Sequence, residues 1–153
     1  MGFAVITSVA GGRDTMLYQA GLYTDYEVCV QAEMKFGTGD ASGQIGGVVF
    51  WAKDYSNYYV LEYAADGTYS VSRLRRKHWL TPVSWRKSDA VKTGPNQVNE
   101  LRAVVNGNHC TVYVNGTKLI DLVGQPPGAS QVGLHAQAPA HGSAAFQFAT
   151  FRV

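Results

Sequence analysis

The sequence predicts an all-β domain, either a two-sheet antiparallel sandwich or a barrel, and three observations carry that prediction. Apolar residues recur with a period of two rather than 3.6 along most of the chain. Short β-branched and aromatic runs alternate with Gly, Asn-Gly and Asp-Gly turn signals at close, even spacing. The composition agrees: of 153 residues only 16% are charged, while glycine contributes 17 positions and Tyr, Phe and Trp contribute 9, 6 and 3. Soluble proteins average roughly 25% charged residues. So lean a chain suits neither a disordered segment nor a helical bundle. The length suits one domain, taken as 1–153.

The elements follow in order. Tyr26, Val28, Val30, Ala32, Met34 and Phe36 alternate with Glu27, Cys29, Gln31, Glu33 and Lys35, the pattern of a strand covered on one face. A turn cluster, Gly37 to Gly43, separates it from Ile45 to Ala52, an apolar run that suits a strand covered on both faces. Asn57 to Ala64 and Thr68 to Arg75 flank Ala65-Asp66-Gly67, read as a hairpin whose two central residues take positive φ. His78 to Trp85 is a further strand, and Pro82 places it at an edge or a bend. Lys87 to Asn96 is a loop. Val98 to Val105 fits helix or strand, and the Asn106-Gly107 that follows decides for strand. With His109 to Val114, Asn115-Gly116 and Thr117 to Val123 it forms a three-strand meander. Gly124 to Ser130 is a loop, and Gln131 to Ala136 and Ala144 to Val153 close the chain. That makes ten strands.

Several function classes recede. The net charge of +2 is too small to point to nucleic acid. The basic run Arg73 to His78 is read first as a solvated strand end and second as an anion-binding patch. No apolar run is long enough for a membrane span. Met1 to Ile6 lacks the basic region and cleavage site of a signal peptide, so export would be visible only in a longer precursor. Cys29 and Cys110 match no zinc or redox spacing, and their pairing is left open. The four histidines form no H-x-x-x-H or H-E-x-x-H pair, and no phosphate-cradling glycine motif occurs, so neither metal nor cofactor is expected. Asn115-Gly116-Thr117 is a formal glycosylation sequon, more simply read as a turn. No two acids lie at i, i+2 on one strand face, where glycoside hydrolysis would place a carboxyl pair.

Three stretches resemble a known family: Gly46 to Tyr63, Val98 to Leu119 with its two Asn-Gly turns, and Val132-Gly133-Leu134-His135-Ala136 followed by Phe148 to Val153. They are similar to concanavalin A-like lectin/glucanase domains, nearest the bacterial 3-keto-disaccharide hydrolase domain and its LamG-like relatives. The resemblance implies a jelly-roll sandwich of an exported bacterial protein, periplasmic or secreted, that handles carbohydrate on a concave face. The hydrolase branch commonly carries Asn-Ser-Gly where this chain has Ile45-Gly46-Gly47, and Gln where it has His135.

Parity then nominates a site. With Val48, Phe50, Leu61, Tyr63 and Leu134 inward, Trp51, Glu62 and His135 share the outward face. There an indole can stack on a pyranose ring while Glu62 and His135 supply directional hydrogen bonds. Arg75, Trp79 and Trp85 are placed at the rim. The expected function is oligosaccharide binding without catalysis. The alternatives are a glycosidase acting on a (3-keto-)disaccharide, with Glu62 as acid or base assisted by His135, and an interaction domain without a small ligand.

Overall fold

A computed structural model describes residues 3–153; Met1 and Gly2, the start of the apolar N-terminal stretch, lie outside it. Among the described residues there are twelve strands: β1 (Phe3–Ser8), β2 (Arg13–Tyr23), β3 (Tyr26–Thr38), β4 (Ile45–Asp54), β5 (Asn57–Ala64), β6 (Thr68–Arg75), β7 (His78–Lys87), β8 (Val98–Asn106), β9 (His109–Val114), β10 (Thr117–Val123), β11 (Ser130–Gln137) and β12 (Ser143–Arg152). They form two six-stranded sheets, ordered β1-β12-β3-β8-β9-β10 and β2-β11-β4-β5-β6-β7. Neighbouring strands run antiparallel throughout. No helix among the described residues is long and apolar enough to cross a membrane.

The inward residues of both sheets interdigitate as in any sandwich. Val28, Val30 and Ala32 of β3, Leu101 and Ala103 of β8 and Phe146 of β12 face Val48 and Phe50 of β4 and Leu61 of β5, all inaccessible to solvent. The ten strands expected are present. The two not foreseen, β1 and β2, are edge strands whose exposed positions include Phe3, Met16, Tyr18 and Leu22, so no clean alternation marks them.

The turns refine the hairpin reading. Asn115 and Gly116 both have positive φ (52° and 79°), as a type I′ turn requires. At Asp66-Gly67 and Asn106-Gly107 only the glycine does (92° and 59°). Asn115 also anchors the meander: its Nδ2 donates to Ala90 O and Asn99 Oδ1, both at 2.8 Å, and its Oδ1 accepts from Glu100 N at 2.8 Å. Cys29 and Cys110 are free thiols on opposite faces of the first sheet, which excludes a bridge between them. Burial raises the pKa of Cys29 and pushes that of Cys110 up to about 12.

Candidate functional site: a trough on the second sheet

The register of the second sheet lines up one row of residues across five strands: Thr15 of β2, His135 of β11, Gly47 of β4, Glu62 of β5 and Ser70 of β6. All five lie on the face turned away from the core. Gly47 is what lets the row close. A Cβ there would meet Val60 Cγ2 at 2.7 Å and Leu61 O at 2.9 Å. With hydrogen in its place, His135 Nε2 approaches Glu62 Oε2 to 3.8 Å from the other side of β4.

This outward face is not flat. Neighbouring strands lie 4.7–4.9 Å apart, so Arg13 on β2 and Trp79 on β7, five spacings apart, would be separated by roughly 24 Å in a flat sheet. Their side chains could not span that. Yet the Arg13 guanidinium carbon lies 4.7 Å from the centre of the Trp79 ring. Trp79 also reaches His135, ring centres 6.0 Å apart, and Tyr58, 5.9 Å apart. The sheet therefore curls until its two edges meet above its middle strands. Leu17, Val49, Tyr58, Val60 and Leu74 bury one another against Trp79 in the resulting trough, a second apolar cluster outside the main core.

Beneath that roof lie a carboxyl and an imidazole, Glu62 at 4% and His135 at 0% exposure. Glu62 Oε1 accepts hydrogen bonds from Ser72 and, at 3.2 Å, from Ser70. Burial pushes its pKa up to about 7, against the pull of those two hydroxyls and of the Arg13 charge. His135 Nδ1 is 2.9 Å from Thr15 Oγ1, which in turn lies 2.8 Å from the Tyr58 hydroxyl. Its Nε2 is buried with no hydrogen-bond partner among the described residues. Burial, reinforced by Arg13, pushes the imidazole pKa down to about 4. Near neutral pH, His135 is uncharged and Glu62 is poised between its acid and its carboxylate. A cavity of about 130 Å³ opens onto Glu62 and Ser72, bounded by Arg13, Trp79, Trp85 and Gln137.

The structure thus brings together Glu62, His135, Trp79 and Trp85. It does not bring Trp51 or Arg75. Trp51 belongs to the core, 2% exposed, with its ring 5.3 Å from Phe50 and 5.0 Å from Tyr59. Parity fails there because β4 carries a bulge between Phe50 and Asp54, and Trp51 sits in it at φ 48°. An extra residue in one strand turns the next side chain back to the same face. The Tyr26 hydroxyl, which accepts the Trp51 backbone N–H at 2.9 Å, holds the bulge. Arg75 shares parity with Arg73, whose guanidinium lies over Tyr59, and lines a separate cleft with Tyr59 and Gln125 at the end of the sandwich. Sequence reasoning missed Arg13, Thr15, Ser70 and Ser72. The serines were detectable, since Ser70 and Ser72 alternate with Val71 on the Thr68–Arg75 strand, the hairpin partner of the strand that carries Glu62. Arg13 and Thr15 lie on the unforeseen β2 and carried no usable signal.

Comparison with solved structures finds the same sandwich elsewhere. The carbohydrate binding module CBM66 from Bacillus subtilis superposes with a TM-score of 0.76 at 17% identity, covering 95% of this chain and 83% of that one. Sheep galectin-11, in complex with glycerol, gives 0.57 at 16% identity over 94% and 97%. A native glycosidic hydrolase gives 0.61 at 7% identity over 96% and 77%. At these identities the likeness is one of fold. No curated protein matches the sequence. The sequence profile of one family matches residues 2–150, nearly the entire chain, and on that match the protein belongs to the 3-keto-alpha-glucoside-1,2-lyase-like domain family.

Proposed function

We propose that the trough recognises a sugar unit of an oligosaccharide, and that this domain is a carbohydrate-binding sandwich of an exported bacterial protein. The observation that carries the reading is the buried Glu62–His135 pair under the Trp79 ring. An aromatic face beside a few fixed polar groups is the arrangement a pyranose needs, with C–H groups on one side and hydroxyls at its edge. Glu62 meets the cavity directly, while His135 stands behind it, oriented by Thr15. Two of the structural neighbours are a carbohydrate binding module and a galectin, which supports the same reading. Calorimetric titration with neutral mono- and oligosaccharides tests it; absence of binding at millimolar sugar would overturn it.

One observation favours a second reading, catalysis. A carboxyl held at about 7 both takes and gives a proton near neutral pH, which is what a general acid–base residue requires. In a 3-keto-glucoside the ketone acidifies the hydrogen on C2. Glu62 as carboxylate would take that proton, the C2–H electrons would form a C1–C2 double bond, and the C1–O bond would break, the departing aglycone alkoxide taking the proton from Glu62. The family name supports that chemistry for this chain. Turnover of a 3-keto-glucoside by wild type but not by Glu62→Gln establishes it. No turnover together with sugar binding leaves the domain a binding module.

A further inference from the structure

The basic run noted in the sequence finds no use in the trough. It lies at the far end of the second sheet, where two adjoining clefts share Tyr59, Arg73 and Gln125. Lys53 lines one of them and Arg75 the other, and no Asp or Glu lines either, among the described residues. None of these three cations takes part in an ion pair among the described residues. The acid next in sequence, Asp54, is engaged by its own turn, accepting from Ser56 N at 2.8 Å and Asn57 Nδ2 at 2.9 Å. Arg73 is held in place rather than free: its guanidinium lies 4.9 Å from the Tyr59 ring centre, and its NH1 group donates to Gln125 Oε1 at 2.9 Å.

The adjoining turn is a second, independent observation. Arg76 and Lys77 form the two-residue loop between β6 and β7, and both have positive φ (50° and 67°). Such turns favour Asn and Gly, because other residues pay a steric penalty there. The Asn115-Gly116 turn of this same chain obeys that preference. At Arg76-Lys77 the chain instead carries two more cations in strained backbone, braced by Arg76 N donating to Asn57 Oδ1 at 3.0 Å. Trp51, in the wall of the first cleft, has an indole N–H that is buried without an acceptor among the described residues.

We propose that this end of the sandwich is an oxyanion site, built by Lys53, Arg73 and Arg75, that binds the sulfate, phosphate or carboxylate of an acidic glycan. A guanidinium already oriented by a ring and an amide loses little freedom when it takes an oxyanion on its remaining donors. Neighbouring cations without an ion-pair partner among the described residues add long-range attraction that salt screens. The oxyanion part stands on its own residues; the glycan part rests on the trough reading.

Calorimetry on the full chain separates the two, using a sulfated disaccharide, its phosphorylated and uronate counterparts, the unsubstituted parent, and inorganic sulfate. The anionic sugars are expected to bind at least tenfold tighter than the parent at low salt, with the better of the three naming the natural group. Lys53→Gln with Arg75→Gln, both exposed positions, should remove that advantage and leave the parent's affinity unchanged. Arg73→Lys, which keeps charge but loses the planar fork, should remove part of it. Equal affinity for charged and neutral sugars would overturn the site. So would an equal loss in Arg86→Gln with Lys87→Gln, which would mark a diffuse positive surface. Arginine-dependent binding of inorganic sulfate with no binding of the parent would uphold the oxyanion site and defeat the trough reading alone.

Discussion

The outward faces of the two sheets start from the same period-two pattern and end differently. On the first sheet, Glu27 pairs with Arg102 at 3.6 Å, Lys118 with Asp121 at 2.7 Å, and Arg102 lies over Tyr113, all in contact with solvent. On the second, Glu62 and His135 occupy equivalent outward positions and are buried. Strand chemistry does not separate the faces; curvature does. The second sheet curls until β2 and β7 share contacts above β4 and β5, and the same kinds of polar residue pass from a solvated surface into a pocket. The half-exposed Glu27–Arg102 pair on the first face is worth about 1 kcal/mol at most. The same types beneath the trough have their protonation states rewritten.

The largest expected effect lies at Gly47. Gly47→Val pushes a branched side chain against Val60 and the Leu61 carbonyl and should destabilise the fold by about 3 kcal/mol, read as a lowered denaturation midpoint. It should also separate His135 from Glu62. A midpoint unchanged from wild type would show that the row does not close through this glycine.

Next in size is a pH effect hidden in the wild type. Glu62 rises from 4.5 to about 7 on folding, so the folded state holds its proton more tightly and this group loses stability as pH climbs through that range. His135 falls from 6.5 to about 4, so the folded state resists its proton and this group gains stability over nearly the same range. Each contribution is roughly 3 kcal/mol and the signs oppose. Wild-type stability should therefore be nearly flat from pH 4.5 to 6.5. Glu62→Gln should become more stable with rising pH, and His135→Gln less stable. Urea denaturation at several pH values reads all three; parallel profiles would contradict the opposition of the two groups.

Smaller still is the roof. Trp79→Ala should weaken sugar binding at least tenfold, about 1.4 kcal/mol, measured by calorimetry. The smallest effect belongs to the solvated face, where Glu27→Gln should change stability by less than about 1 kcal/mol in chemical denaturation.

Much of the sandwich was legible because alternation survives wherever one face is buried. Val28 to Met34 and Leu101 to Val105 alternate cleanly, and the Asn-Gly turns fix the meander. The edge strands β1 and β2 were not legible, because solvent lies on their flank and no burial pattern constrains them. Glu62 and His135 were found by parity, since no irregularity intervenes between each of them and its inward neighbours. Trp51 was misplaced by the same rule, because a bulge at φ 48° leaves no mark in composition. Arg13 and Trp79 meeting over the site could not be read at all: curling of a sheet is a property of six strands together, not of any one of them.

The central claim is that sugar enters over the Glu62–His135 pair, and the imidazole nitrogens report on it most directly. The chain has four histidines, His78, His109, His135 and His141, and of these only His135 lies in the trough. Long-range proton–nitrogen spectra, recorded while an oligosaccharide is titrated to saturation, follow each ring separately. Sugar bound in the trough should move the His135 resonances with the binding isotherm while those of the other three stay in place. Saturation with His135 unmoved would contradict it.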